Sequence, residues 1–517
     1  MTNLVTNVAD SVESTPDAPA IVFDGETTTY ERFWERAGRF AQALTDCGIG
    51  ADDRVGIYLP NLPQFVTAFH GTLRAGGIVV PMNPQYKARE IGHLLGDSGA
   101  KAVVSLADNV PEVREVLEET DVEQIVSVGG DADGATAFED FLADESLDVV
   151  DREDDDIAVQ PYTSGTTGTP KGVLLSHDNL AWTAKANADL IGGIEPEDKM
   201  IGTLPLFHIY GMSVVMNGGL FNGASYYPVP EWDAENVMNL IEDERITIMF
   251  GVPAMFNDMI NQPDAGEYDL SSLRFVNSGG SSLPLEVLAQ FEERFGVTLY
   301  EGYGLTETSP TTHANAPDAR RKGSIGQPFD GMDAKVVDED FEEVPRVEEG
   351  PVDEGEVDLN EITGEIVISG PNVMQGYYGL PEANEEVFTE ADGKTWFHTG
   401  DVGYWDEDDF FYVVDREKHM IVTGGYNVYP REIEELLFEH EDVADTAVVG
   451  VPDDRRGETV KALIVPTPDA EATPEDIKEY CLEHLAAYKH PREVEFVDEL
   501  PRTTTGKVQK FKISDEE

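Results

Sequence analysis

The sequence predicts an α/β fold: a large N-terminal domain of layered α/β subdomains plus a β-rich subdomain, followed by a small α+β C-terminal domain. Three observations predict it. At 517 residues the chain is too long for one compact core. Over its first three-quarters, short β-branched runs alternate with helical patterns, which argues for a largely parallel sheet covered by helices. Near residue 325 that alternation gives way to short strands with Gly turns, and the last hundred residues read as a separate unit. The expected domains are 1–415, with the β-rich part at about 325–415, and 416–517.

Taken in order, Arg54-Val-Gly-Ile-Tyr-Leu, Lys101-Ala-Val-Val-Ser and Gln124-Ile-Val-Ser-Val read as buried strands. So do Ile246-Thr-Ile-Met-Phe-Gly, Leu273-Arg-Phe-Val-Asn and Val297-Thr-Leu-Tyr. Val287, Leu288, Phe291 and Phe295 share one helical face, entered through Pro284. Gly364-Glu-Ile-Val-Ile-Ser-Gly and Phe410-Phe-Tyr-Val-Val-Asp are the clearest strands of the β-rich part. The final unit offers a helix at Pro430–Glu439, strands at Thr446–Val451 and Val460–Val465, a helix opened by Thr473-Pro474, and a strand at Glu493–Val497.

Charge narrows the function classes. The chain carries 102 Asp and Glu against 35 Lys and Arg, a net −67. The excess is spread through segments such as Asp151–Asp156, Glu348–Asp358 and Asp406–Asp409 rather than gathered in a tail. A field of this sign repels nucleic acid and anionic membrane surfaces. It also strains the fold by self-repulsion unless salt screens it, and at ~1 M ionic strength the Debye length is only ~3 Å. A halophilic cytoplasm with activity in molar salt is the expectation; an unusually acidic mesophilic protein is the plainer alternative. The stretch 344–360 reads as a solvated acidic elaboration. Cys47 and Cys481 lie far apart and carry neither a disulfide framework nor a zinc spacing. No run approaches the ~20 apolar residues of a membrane span, and the N-terminus lacks a signal pattern. A soluble cytoplasmic protein is expected.

The densest motif is Tyr162-Thr-Ser-Gly-Thr-Thr-Gly-Thr-Pro-Lys-Gly172. Glycines let backbone N–H groups close on an anion, while the hydroxyls of Thr163, Ser164, Thr166 and Thr167 add donors and Lys171 adds charge. This suits nucleotide phosphates. It is not a Walker loop, which would need Gly at 170 and Ser or Thr at 172, and which feeds a helix; here Gly172-Val-Leu-Leu-Ser reads as a strand.

The segment around Gly165 and Gly168 resembles the phosphate loop of the adenylate-forming superfamily, which includes acyl-CoA synthetases, luciferases and peptide-synthetase adenylation domains. Further similar motifs follow in order, from about Ala18 to Lys512. Glu301-Gly-Tyr-Gly-Leu-Thr-Glu307 resembles the second nucleotide motif: with Gly302 and Gly304 on either side, Tyr303 would stack on adenine, Thr306 would contact the α-phosphate and Glu307 would hold Mg²⁺. Thr166 is the implied second contact to the metal, directly or through water. Asn277-Ser-Gly-Gly-Ser-Ser282, with Gly280 and Ser281, resembles the adenine-pocket segment. Thr399-Gly-Asp401 is similar to the ribose clamp, with Asp401 accepting from both sugar hydroxyls. Arg416 would reach ribose or phosphate, and Lys418 falls at the hinge position. Pro501-Arg-Thr-Thr-Thr-Gly-Lys507 resembles the C-terminal loop whose lysine enters the site; a basic terminal tail is the alternative.

These parts imply ATP, Mg²⁺ and coenzyme A, and a mobile C-terminal domain that withdraws Lys507 and brings in Thr423-Gly-Gly-Tyr-Asn427. Gly424 and Gly425 would let the pantetheine arm approach. Where the family often has Lys before that glycine pair, this chain has Val422-Thr423, so contacts to the CoA phosphates do not carry over. His208, in Leu204-Pro-Leu-Phe-His-Ile-Tyr-Gly211, matches the position between carboxylate and CoA tunnel. The segment 201–230 holds no charged residue, which favours a fatty acid over an amino acid, and the look is closest to long-chain fatty acid–CoA ligases. A 4-coumarate-type aryl acid ligase, a freestanding adenylation enzyme loading a carrier protein, and a non-catalytic acyl or nucleotide binder are the other readings. Similar ligases are commonly homodimers.

Overall fold

A computed structural model of the chain describes residues 3–164, 170–352, 357, 359–416, 420–423, 426–453, 456–468, 470–485, 488–502, 508–510 and 513. The mixed α/β architecture matches the expectation, with one difference of organisation. The N-terminal strands form two sheets rather than one. The first runs parallel through Leu299–Gly304, Phe275–Ser278, Ile248–Gly251, Lys199–Gly202, Ser225–Pro228 and Pro19–Phe23. Antiparallel strands close both edges, Thr311–Ala314 on one side and Glu26–Thr29 on the other. The second is parallel through Ile157–Val159, Ile78–Pro81, Arg54–Tyr58, Ala102–Leu106 and Gln124–Val128, then turns antiparallel at Pro170–Ser176 and Gly376–Tyr377.

Parallel strands covered on both faces need continuous apolar runs, and Ile78–Pro81 and Ile248–Gly251 are buried at every position. One apolar cluster runs through both sheets, from Val55, Ile57 and Val79 to Met200, Ile248 and Phe275. The helix Leu285–Phe295 buries Val287, Leu288 and Phe291 as its periodicity requires. Pro284 stands one position before that helix, as its N-cap, and Gly296 ends it with φ +67°.

The β-rich part is an antiparallel sheet of Asp333–Val337, Gly364–Ser369, Lys394–Trp405, Phe388–Ala391 and Phe411–Arg416. The acidic stretch 344–360 is not the wholly solvated elaboration expected of it. Val344 packs with Ile325 and Trp405, while Val347, Val352, Val357 and Leu359 pack toward Tyr404, Phe410 and Tyr412. Arg346 lies 3.7 Å from the Trp405 ring centroid and pairs with Asp409 at 2.5 Å. The stretch is an apolar strap, and its described acids, Glu348 and Glu349, are exposed.

From residue 421 onward a fourth sheet joins Ile421–Thr423, Tyr426–Val428, Val443–Asp453, Gly457–Pro466 and Glu493–Phe496, with helices Pro430–Phe438 and Pro474–His484. Thr473 caps the second helix as its sequence predicts. The long strands outrun the expected Thr446–Val451 and Val460–Val465 because they pair with each other along their whole length. Among the described residues no helix is long and apolar enough to cross a membrane.

Arg431 ties this unit to the preceding strand. Its Nη1 donates to the Val413 carbonyl at 2.6 Å, and its backbone N–H to Asp415 at 3.2 Å. Its charge also faces Glu301, a buried carboxyl that accepts the Leu283 N–H at 3.2 Å. Burial pushes Glu301 up to about 7, and Arg431 only partly opposes this. The folded chain therefore keeps that proton to about pH 7, whereas the unfolded chain releases it near the ordinary glutamate value of 4.5. Stability falls as pH rises through this window, and the loss is complete above it. Glu301→Gln is expected to raise Tm at pH 8, by up to roughly 3 kcal/mol of stability, with the gain fading toward pH 5; thermal melts across that range check it.

Candidate active site

The carboxyl ends of the parallel strands open onto one cleft, where open α/β sheets place their ligands. The cleft is lined by His208, Ile209 and Tyr210, by Phe250, by Asn277, Gly279 and Gly280, and by residues 302–306, with Leu190, Pro310, Ala314 and Phe329 among the rest. The 301–307 motif reaches it because the chain doubles back: Leu299–Gly304 pairs antiparallel with Thr311–Ala314. A Cβ on Gly304 would sit 1.8 Å from the Pro310 carbonyl oxygen, so only glycine allows that return.

On the nucleotide side the predicted residues converge. Asp401 is 2% exposed. It accepts a short hydrogen bond from the Tyr303 hydroxyl at one oxygen and pairs with Arg416 Nε at 2.8 Å through the other. Asp401 and Arg416 face each other across neighbouring strands. Burial, then the Asp401 charge, raises the Tyr303 phenol, which stays a donor. The strand segment carrying Asp401 is braced from behind. Gly400, at φ +69°, donates its N–H to Glu365 at 2.8 Å, and the other Glu365 oxygen meets His398 Nδ1 at 2.7 Å. Thr399 donates to the Ile366 carbonyl at 2.7 Å and accepts the Asp401 N–H at 3.1 Å. Behind Tyr303 lies His313, pushed down to about 3 by burial and therefore neutral.

On the phosphate side, Tyr162–Ser164 and Pro170–Ser176 form an antiparallel hairpin with Thr163 opposite Lys171. The strand after the loop is thus as expected. Lys171 Nζ lies 4.9 Å from the Tyr377 ring centroid, and the Tyr377 hydroxyl donates to Glu307 Oε1 at 2.9 Å. Thr306 lines the cleft beside Glu307. Carboxylate and hydroxyl oxygens are the donors Mg²⁺ takes. Among the described residues no three His, Cys, Asp or Glu side chains are grouped so that they could hold a metal ion by themselves.

On the acid side, His208 accepts the Tyr210 N–H at Nδ1 (3.2 Å), and the Tyr210 hydroxyl donates to Asn277 Oδ1 at 2.8 Å. Tyr210 meets Phe250 edge to face, with centroids 6.0 Å apart. Tyr210–Asn217 coils as a π-helix, a feature the sequence reading did not foresee.

Some predicted residues do not join this arrangement. Ser281 is exposed and does not line the cleft, unlike its neighbour Gly280. Gly165, Thr166, Thr167, Gly168, Lys418, Gly424, Gly425 and Lys507 lie outside the described residues, as does the side chain of Ser164. Sequence reasoning missed Tyr377, Glu365 and His398, which no local motif marks. It quoted Tyr210 and Asn277 without assigning them a part. Because Asp401 alone links Tyr303 and Arg416, Asp401→Asn is expected to raise the ATP KM about tenfold or more, with the CoA KM within twofold in steady-state assays.

Known proteins resemble this chain over nearly its whole length. The AMP-binding enzyme family model matches residues 8–378, and that of the AMP-binding enzyme C-terminal domain matches 432–507. A long-chain-fatty-acid–CoA ligase of Bacillus subtilis is 36% identical, over 99% of this chain and 94% of its own. A feruloyl-CoA synthase of an Amycolatopsis species is 34% identical over 96% of each. The ATP-bound structure of MatB from Rhodopseudomonas palustris superimposes with a TM-score of 0.89 at 31% identity, covering 100% of this chain and 99% of that one. With both matches spanning most of its length, the chain belongs to the AMP-binding enzyme family.

Proposed function

We propose that the chain is an AMP-forming acid–thiol ligase that activates a medium- or long-chain fatty acid as its adenylate and transfers it to coenzyme A. The observation that carries the choice of acid is the cleft wall. Leu190, Ile209, Tyr210, Phe250 and Phe329 line it, and among the described residues no Asp, Glu, Lys or Arg does. A zwitterion would find no partner there, and an apolar chain loses little by entering.

In the first step a carboxylate oxygen of the acid attacks the α-phosphorus, and the bond to pyrophosphate breaks. In the second the CoA thiolate attacks the acyl carbon, and the bond to AMP breaks. Asp401 and Arg416 hold the ribose end, Lys171 and the 163–168 loop the phosphates, and Thr306 the α-phosphate. Magnesium, when bound near Glu307 and Thr166, neutralises phosphate charge. Lys507 stabilises the charge built in the first step. Rotation near Lys418 then exchanges it for Gly424 and Gly425, while His208 lines the path between acid and thiol. The reading carries with it a cytoplasmic location in a salt-rich cell.

A second reading is an aryl acid. The edge-to-face pair of Tyr210 and Phe250 beside His208 supports it, since a flat ring stacks well there.

The test is to incubate the purified chain with ATP, Mg²⁺, CoA and a panel of fatty and aryl acids in ~2 M KCl, where screening is nearly complete, and read products by mass spectrometry. Acyl-CoA from medium or long chains with AMP, and a loss of about a hundredfold or more in Lys507→Ala, is the expected result. Aryl-CoA alone moves the assignment to the second reading. Adenylate without thioester points to a carrier protein as acceptor, and no AMP from any acid removes the ligase reading. Activity is also expected to climb between ~0.1 and ~2 M KCl as repulsion among the acids is screened; a flat profile would refute the halophilic reading.

A further inference from the structure

One aromatic ring touches both charged ends of the phosphate site. Tyr377 closes the short edge strand Gly376–Tyr377, with Val173 opposite it on the strand that leaves the phosphate loop. Its backbone is held from behind: the N–H donates to Asn384 Oδ1 at 2.7 Å, and Asn384 Nδ2 donates back to its carbonyl at 3.2 Å. The side chain is fixed in place, since the residue is only 8% exposed. Its hydroxyl donates to Glu307 Oε1 at 2.9 Å, and its face lies 4.9 Å from Lys171 Nζ. Glu307 is anchored on its other side, where its carbonyl accepts the Met374 N–H at 2.8 Å.

Each contact removes a freedom that binding would otherwise have to remove. A carboxylate on a rotating Glu side chain presents its oxygens in many directions; a phenol on one oxygen sets the plane of the group. A lysine carries a large store of rotamer entropy. An ammonium resting on a ring face is partly ordered before the phosphates arrive, yet that contact is weak enough to be exchanged for a phosphate oxygen. Partners of metal-binding carboxylates matter in this way generally, and their loss typically costs ten- to a hundredfold in metal affinity.

We propose that Tyr377 is a positioning residue for the ATP–magnesium half of the site: its hydroxyl orients the Glu307 carboxylate and its ring orients the Lys171 ammonium. The inference rests on the ligase reading and assigns the two contacts separate tasks. Tyr377→Phe keeps the ring and removes the hydroxyl, so it is expected to disturb only the metal. Tyr377→Leu removes both.

The experiment measures two quantities on the full chain in molar KCl. One is the free Mg²⁺ that half-saturates acyl-CoA formation at fixed ATP. The other is ATP affinity by calorimetry, with Mg²⁺ and with EDTA. For Tyr377→Phe, half-saturating Mg²⁺ rises about tenfold, ATP affinity in EDTA stays within twofold, and the KM for acid and for CoA is unchanged. Tyr377→Leu additionally weakens ATP binding in EDTA, because Lys171 loses its rest. A folded Tyr377→Phe with wild-type magnesium dependence overturns the proposal. So does a uniform loss across ATP, acid and CoA with a lowered Tm, which marks a merely structural role. A wild-type chain that forms no AMP from any acid defeats the ligase reading instead, and the calorimetric comparison then still decides the part played by Tyr377.

Discussion

The site depends on one buried anion. The Asp401 carboxylate draws a hydroxyl from the parallel sheet, through Tyr303, and a guanidinium from the strand that leads out of the β-rich sheet, through Arg416. Burying a carboxylate is costly unless it is paired and hydrogen-bonded, and here both oxygens are engaged. The consequence is geometric. Tyr303 and Asp401, 98 residues apart, meet at one point, and Arg416 joins them from the neighbouring strand. Whatever orients Asp401 therefore orients the Tyr303 hydroxyl and the Arg416 guanidinium. The bracing of Gly400 by Glu365, and of Glu365 by His398, extends that control a further layer outward.

Charge is distributed on the same logic. With 102 acids against 35 Lys and Arg, cations are scarce, and a few of them, Arg274, Arg321 and Arg416, meet acids that cannot face water. Asp198 is buried and held by Arg274 at 2.6 Å; Asp406, fully buried, is met by Arg321. Such contact pairs survive screening, whereas the long-range field of the surface acids does not once the Debye length falls to ~3 Å. A nucleotide is itself an anion, so the global field opposes it and only short-range donors favour it. On the proposed reading Lys171 and Arg416 would act on it at contact distance, the range at which salt leaves them effective.

The readable parts of this molecule are those in which the chemistry is local. The strand after Lys171, the segment Gly302-Tyr303-Gly304 and the segment Thr399-Gly400-Asp401 each concentrate their signal in a few residues; the strand stands where the sequence predicts it, and the other two segments meet through Tyr303 and Asp401. The helix Leu285–Phe295 was legible because its period is local too, although its proline sits one position outside it. What was not legible lies at long separation. Tyr377 is 70 residues from Glu307, and Glu365 is 35 from Gly400; neither carries a motif. The division of the strands into two sheets is a matter of pairing order, to which periodicity is blind. In the stretch 344–360 the acids dominated the composition and hid the valines that pack inward.

The cleft joins two environments that the reaction needs side by side. On the proposed reading, the phosphate and ribose groups would meet preset charges and donors at its mouth, where charge must be stabilised as bonds to phosphorus change. Among the described residues its lining holds no Asp, Glu, Lys or Arg, and two of its polar groups are satisfied internally: the Tyr210 hydroxyl on Asn277, the Tyr210 N–H on His208. Such a wall offers an incoming acid little reward for carrying a charge. It discriminates by shape, and shape alone separates homologous apolar ligands by only ~1–3 kcal/mol per methylene. For the acid we propose, selection then follows from the width left between Tyr210, Phe250 and Phe329 rather than from any single polar contact. Such a wall can be altered by a few apolar substitutions without touching Asp401 or Glu307, so the adenylating chemistry and the choice of acid are free to vary independently on this scaffold.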